Sequence, residues 1–544
     1  MQEYKLRYFN ELGGREEINF APEGNFSFDY FDVSAVRSGY RNTVSVTAKR
    51  DVELIKCTRR GVWKAEFGDL CFMNGYQSWT KTKEYFLSEN ERDVKKLPKP
   101  ILNAFSFDRY GDATFFDYDK SLLHGYDLFY VKGKSGAFII NANYRSAYLI
   151  IVADRSTGEI SLRSELDGLI IKSGETFTVI DYYLCEGYDE GLKLFDELFP
   201  KKPVKKILGY TSWYNYYQLV TEAIILRDLE GLDKRFDLFQ IDDGYETFVG
   251  DWKDVDEKKF PNGLKGIADK IHEKGYLAGV WLAPFVAEEK SRVLREHPEW
   301  FDFNGERVKC GSNWSGFYAL NIKKAGVKEY IADCLQYFID LGFDFFKLDF
   351  LYAANLPVYK GYTRSQIAEE AYGFLREVLK GKIILGCGAT LFNGADRFEY
   401  MRIGPDVSLK FDDVWFMRFM HNERISTMVT LQNTVYRSLF DGRLFGNDPD
   451  VFLLRDDNIS MNKEQKRSLL TLNALFGSVL MTSDDIGRYD DEKRAALAQA
   501  LELNRNAVVK KFDRVHDVIE VTYEMNGKTF SLKYNYKKGV IYDR

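Results

Sequence analysis

Eight short apolar runs recur between Ile207 and Met481, separated by stretches of helical patterning, and this alternation limits the chain to very few architectures. The runs are Ile207 to Trp213, Phe236 to Ile241, Leu277 to Leu282, Phe343 to Leu348, Ile383 to Cys387, Met401 to Ile403, Val451 to Leu454 and Val479 to Met481. Strand then helix, repeated eight times, is the pattern of a (β/α)8 barrel. The fold class expected is therefore α/β, with a TIM barrel at its centre. At 544 residues the chain leaves room for further domains beside a barrel of roughly 250 residues.

Up to about residue 185, short alternating strands bounded by turn residues, as at Ala137 to Asn141, Ala147 to Val152 and Thr176 to Leu184, predict an N-terminal β-sandwich over residues 1–198. A helical pattern from Asp189 to Leu198 runs into P-K-K-P-V-K-K, where Pro200, Pro203 and like charges read as a linker. The barrel is placed over residues 199–503, ending on the helical stretch Glu492 to Leu503. Residues 504–544 return to strands, with Met525-Asn526-Gly527-Lys528 as a hairpin turn, and predict a small C-terminal β domain.

A net charge of −6, with Lys and Arg spread along the chain, provides no basic stripe to neutralise phosphates, so no nucleic-acid partner is expected. No stretch approaches the ~20 apolar residues of a membrane span, and the N-terminus leads straight into mixed residues; no membrane partner and a cytoplasmic location are expected. Six scattered cysteines and five histidines lack paired ligand spacing. Neither a disulfide framework nor a metal is expected, and no cofactor.

In a TIM barrel the active site lies at the C-terminal ends of the strands, so functional polar residues should follow apolar runs. The runs end in T-S-W-Y-N-Y-Y, Q-I-D-D-G-Y, G-V-W-L-A-P-F, F-D-F-F-K-L-D-F, L-G-C-G-A, M-R-I-G-P-D and, for the eighth, M-T-S-D-D-I-G. Strand alternation puts Phe345, Lys347 and Asp349 on one face, a cation one pleat below a carboxylate. Such a neighbour favours the ionised acid that a glycosidase nucleophile must be, whereas its partner must hold a proton. A buried ion pair closing the barrel would use the same residues. Asp406, after Arg402 and Gly404-Pro405, offers that partner at a sharp turn, where a plain surface turn acid is the alternative. The adjacent Asp242 and Asp243 suit two vicinal sugar hydroxyls or a divalent cation. Trp213 and Trp281 suit stacking on a sugar face or simple core packing.

These strings, together with N-G-Y-Q-S-W near residue 75, W-L-A-P-F and N-D-P-D-V-F-L-L-R, closely resemble glycoside hydrolase family 36, the bacterial melibiases, in order along nearly the whole chain. The resemblance implies a retaining α-galactosidase acting on terminal non-reducing α-D-galactosyl residues of melibiose- or raffinose-type oligosaccharides. It assigns Asp349 as nucleophile and Asp406 as acid/base, with Lys347 and Arg402 holding the sugar beside them. Asp242 and Asp243 would take the 4- and 6-hydroxyls, Trp213 and Trp281 would wall the pocket, and Cys387 with Gly388 would face the 2-position. Tyr76 and Trp79 match an N-terminal loop that reaches over the barrel mouth; several relatives have tryptophan where this chain has Tyr76. The chain is also shorter than the family's larger members.

Three alternatives stand beside this reading. An α-N-acetylgalactosaminidase would use the same carboxylates but need room around Cys387-Gly388-Ala389. Transglycosylation would need a sugar to compete with water for the intermediate. A non-catalytic carbohydrate-binding protein would use the same aromatic and acidic residues, although intact Asp349 and Asp406 argue against it. A dinucleotide site at G-C-G-A-T-L fails because the fingerprint's third glycine is missing.

Overall fold

The computed structural model describes residues 3–89, 100, 106–116, 121–412 and 425–543. Its N-terminal part is a sandwich of two antiparallel sheets, of six and eight strands. Alternation builds its core. Tyr4, Leu6 and Tyr8 of the strand Tyr4–Phe9 point inward from one sheet to meet Phe31, Val33 and Ala35 of Phe31–Ser38 in the other. The strands Leu128–Lys132 and Ala137–Asn141 are apolar on successive residues for a different reason. One face packs into the sandwich and the other against the helix Tyr188–Leu198 and the barrel. The chain crosses between the sheets at Asp127, which adopts φ +62° and accepts hydrogen bonds from Asn141 Nδ2 (2.6 Å) in one sheet and Leu149 N (2.9 Å) in the other.

The barrel strands are Ile207–Thr211, Leu238–Ile241, Leu277–Leu282, Phe345–Leu348, Ile383–Gly386, Tyr400–Arg402, a seventh in two pieces, Gly446–Asp448 and Val451–Phe452, and Val479–Thr482. All pair in parallel in sequence order. The first piece of the seventh strand pairs with the sixth, the second piece pairs with the eighth, and the eighth pairs with the first, so the sheet closes. The run Val451 to Leu454 therefore covers only half of the seventh strand. Its other half, Gly446-Asn447-Asp448, is too polar to read as apolar, because Asp448 turns to an arginine of the sixth strand.

Between the third and fourth strands the chain makes a three-stranded excursion, Val286–Glu288, Lys309–Gly311 and Phe317–Ala319, before the helix Val327–Asp340. It carries residues 312–316 over the barrel mouth. A four-stranded antiparallel sheet follows the helix Asp491–Asn506, and its Asn526-Gly527 turn has both residues at positive φ (52° and 74°), as a two-residue type I′ hairpin requires. Arg514 of this sheet donates to Glu84 O and pairs with Glu89, clipping it to the sandwich. Among the described residues no helix is long and apolar enough to cross a membrane. All six cysteines are buried and unpaired.

Candidate active site

The C-terminal ends of the barrel strands open into a cavity of about 280 Å³. That is at the lower edge of the roughly 300–1,000 Å³ typical of small-molecule sites, a volume suited to one ring. Its walls bring together Trp213, Asp242, Asp243, Trp281, Lys347, Asp349 and Asp406 from the barrel and Trp79 from the sandwich. Among the described residues no three His, Cys, Asp or Glu side chains are grouped to hold a metal ion.

Lys347 and Asp349 reach the cavity on alternate residues of the fourth strand, while Phe345 below them fills the barrel beside Tyr400. Asp349 accepts hydrogen bonds from Trp281 Nε1 (3.0 Å) at one oxygen and from Phe350 N (2.8 Å) at the other, with Lys347 Nζ 4.0 Å away. Trp281 is thus a hydrogen-bond donor as well as a wall. Lys347 is fixed by Asp242, at 2.9 Å. Burial works against the Lys347 charge, but Asp242 and Asp349 outweigh it and hold its proton more tightly than usual.

Asp242 is fully committed. Its Oδ2 accepts from Lys347, Thr211 Oγ1 (3.0 Å) and Gln240 Nε2 (2.7 Å), and its Oδ1 from Asp243 N (3.0 Å). Asp243 accepts from Trp314 Nε1 at 3.0 Å and faces Glu246. Burial first, and Asp243 second, push the Glu246 carboxyl well above the usual range, and burial also raises Asp243.

Asp406 sits opposite, on the turn after the sixth strand. Its side chain is 36% exposed into the open cavity but hemmed in by protein, and its carboxyl is raised by burial, opposed by Arg402 and Lys347 and reinforced by Asp349. Arg402 Nη1 lies 3.1 Å from Asp406 Oδ1.

Four residues expected at the sugar are not on the cavity wall. Arg402 is 3% exposed and lies behind Asp406, shared with Asp448 (3.0 Å) and Asp450 (2.8 Å). Cys387 and Gly388 lie beneath Trp79: the indole donates to Cys387 Sγ at 3.3 Å, and a Cβ on Gly388 would meet the Trp79 ring at 2.9 Å. Tyr76 points away. Its ring packs among Phe115, Tyr126 and Tyr148, and its hydroxyl accepts from Asn355 Nδ2 at 2.9 Å. The same short loop therefore sends Tyr76 into a core and Trp79 into the cavity.

That loop is locked to the barrel. Ser78 N donates to Ala389 O (2.9 Å) and Ala389 N to Ser78 Oγ (3.0 Å). The buried Arg437 gives its guanidinium donors to Ser78 O (2.6 Å), Gln77 O (3.0 Å) and Gly75 O (3.2 Å) on one side and Ile403 O (2.8 Å) on the other.

Sequence reasoning missed Trp314, which lines the cavity, donates to Asp243 and holds φ +53°, a strained setting for so large a residue. The signal was the long stretch between the third and fourth barrel strands, because excursions of that length tend to be functional. Tyr110 and Phe350, which pack edge-on against Trp79, were missed as well.

Residues 212–379 match the family model described as melibiase. Among curated relatives, the α-galactosidase Mel36A of Lactobacillus acidophilus is 31% identical over 135 residues, covering 22% of this chain and 18% of that protein. The A type blood α-D-galactosamine galactosaminidase of Flavonifractor plautii is 30% identical over 207 residues, covering 34% and 19%. The chain thus spans about a fifth of the length of these curated relatives. Among solved structures, the α-galactosidase of Thermus thermophilus in complex with p-nitrophenyl α-D-galactopyranoside superposes with a TM-score of 0.72 at 22% identity, over 91% of this chain and 98% of that one, a likeness of fold. The segment 212–379 is therefore similar in sequence to the melibiase family, and the chain as a whole shares the fold of a solved α-galactosidase.

Proposed function

We propose that the protein is a retaining α-galactosidase that removes terminal non-reducing α-D-galactosyl residues from galacto-oligosaccharides. The observation that carries this reading is the pair of unlike carboxyl groups facing one ring-sized cavity: Asp349 ringed by donors, Asp406 raised by burial. Retaining glycosidases need this division of labour.

Asp349 attacks C1 as the C1–O glycosidic bond breaks, and Asp406 delivers its proton to the departing oxygen, leaving a β-galactosyl ester on Asp349. Water then attacks C1 as Asp406 takes its proton, releasing α-galactose and restoring both acids. Lys347 and Trp281 hold Asp349 in line, and Asp242, Asp243 and Trp314 frame the hydroxyls. The catalytic unit on this reading is residues 199–503, with 1–198 lending Trp79 and 504–544 as a separate β domain. The six unpaired thiols support a cytoplasmic setting.

The test is hydrolysis of p-nitrophenyl α-galactoside and α-N-acetylgalactosaminide side by side, with the first product followed by NMR. Galactoside turnover giving α-galactose first is expected. β-Galactose first would reject double displacement, and no turnover of either would leave a binding protein.

Trp79 supports galactose over its acetamido analogue, since it fills the space above Cys387 and Gly388. Trp79→Ala is expected to lower the galactoside to acetamido ratio of kcat/KM by about 10-fold or more, the scale of pocket-volume discrimination. An unchanged ratio would remove Trp79 from this role.

A further inference from the structure

Behind Asp406 lies a buried polar cluster that the two chemical steps do not use. The seventh strand breaks at Pro449-Asp450, and Asp450 is fully buried at φ +75°, a costly conformation for a residue without a special task. Its Oδ2 accepts the hydroxyl of Tyr214 and the backbone N–H of Val407 (2.7 Å), the residue next to Asp406. Its Oδ1 lies 2.8 Å from Arg402 Nη2. The other nitrogens of Arg402 reach Asp448 (Nε, 3.0 Å), and Asp406 (Nη1, 3.1 Å) and the Tyr214 oxygen (Nη1, 3.5 Å). Tyr214, whose one hydroxyl proton goes to Asp450, also stands beside Asp406.

One guanidinium thus serves three carboxyl groups by direct contact. Three full negative charges against one positive charge are not sustained in a buried site, so a proton is retained within the set. Each carboxylate that draws on Arg402 leaves less of its charge for Asp406.

We propose that Asp450 is a positioning residue for Asp406: it anchors the Asp406 turn through Val407 N and, by competing for Arg402, keeps the proton on Asp406 until the leaving group needs it. This rests on the assignment of Asp406 as acid/base made above. Burial, against the opposing pull of Arg402, also pushes Asp450 itself up to about 7, so its charge grows through the neutral range. The other groups facing the pair are Lys347 and Asp349 from the fourth strand, Cys387 after the fifth, Asp448 from the seventh, and Tyr214 and Tyr217 after the first. None of these replaces the Val407 anchor.

The sign follows from charge. Removing the negative neighbour frees Arg402 for the Asp406 anion, so Asp406 loses its proton at lower pH. Asp450→Asn keeps an oxygen for Val407 N and Tyr214. It is expected to move the alkaline limb of the kcat/KM profile for an α-galactosyl disaccharide to lower pH by about one unit, and to cut kcat above neutrality about 10-fold. The deficit should close as pH is lowered, KM should hold, and an activated aryl galactoside should be spared in its first step. A limb that stays in place, or a loss equal at every pH, overturns the proposal. Should Asp450→Asn fail to fold, Asp448→Asn removes the other competitor with the Val407 contact intact and is expected to shift the limb the same way; no shift there is equally fatal. Wild-type protein inert on every α-galactoside would instead fell the underlying assignment, and this inference with it.

Discussion

Asp349→Ala is expected to lower turnover of every α-galactoside by about four orders of magnitude or more, whatever the leaving group, because on the proposed mechanism no covalent intermediate forms without this carboxylate. Asp406→Ala should behave differently. An aryl leaving group that departs without protonation keeps much of its first step, while water attack slows by the 10²–10⁴-fold typical of a lost general base. A burst of phenol is then released ahead of a slow steady state. Azide needs no general base and attacks the β-linked ester, so it should restore turnover of Asp406→Ala. The product in that case carries the α configuration, because two inversions at C1 retain the anomer. In Asp349→Ala, azide in the vacated space attacks the intact substrate once and gives the β anomer. The same anomer from both variants, or equal loss on activated and unactivated substrates in Asp406→Ala, would reject the assignment of roles. The expected difference rests on geometry: Asp349 is held by Trp281 and Phe350 N, whereas Asp406 hangs from a turn with its carboxyl raised.

Much of this arrangement is legible in the sequence, for reasons that particular residues make clear. Barrel strands are apolar because both faces are covered, so seven of the eight runs overlap full strands. The seventh is readable only in its Val451–Phe452 piece, since Asp448 satisfies an arginine rather than a hydrophobic layer. The period of two placed Lys347 and Asp349 on one face, and the cavity uses both. Asn526-Gly527 was legible because turn chemistry is local.

What was not legible depends on contacts distant in sequence. Trp79 comes to the cavity through the Ser78–Ala389 hydrogen bonds and Arg437, which no periodicity encodes, and only the family resemblance pointed to it. The same hydrogen bonds turn Tyr76 three residues earlier into a core beside Tyr126 and Tyr148. Small residues at Cys387-Gly388 looked like open space, but the space is filled by an indole from a loop of the N-terminal sandwich. Trp314 lies on an excursion rather than a strand end, outside the positions where strand-end logic looks.

Asp242 and Asp243 adjoin in sequence but should fail in different ways. Asp242 is the buried partner of Lys347, and breaking such a pair costs about 3–5 kcal/mol, which is roughly 10²–10⁴-fold where it is expressed in the rate. Asp242→Asn also leaves Lys347 free to draw on Asp349 alone, so kcat should carry most of the loss. Asp243 has a lighter protein load, Trp314 and Gln218 with Glu246 beside it, and on the proposed reading offers its remaining acceptor capacity to the ring hydroxyls. Asp243→Asn should therefore raise KM for galactosides and weaken galactose inhibition, with a smaller fall in kcat. Both variants should lose galactoside activity by at least 10²-fold, but only Asp243→Asn should leave any trace of glucoside activity little changed, because a site built to accept a substrate hydroxyl discriminates strongly through that bond, whereas Asp242→Asn should lower both activities. Steady-state kinetics on paired aryl galactosides and glucosides, with galactose as competitive inhibitor, separates the two. Wild-type rates in both variants would remove these acids from the cavity's chemistry, and an Asp242→Asn defect confined to KM would show that Lys347 positions the sugar rather than Asp349.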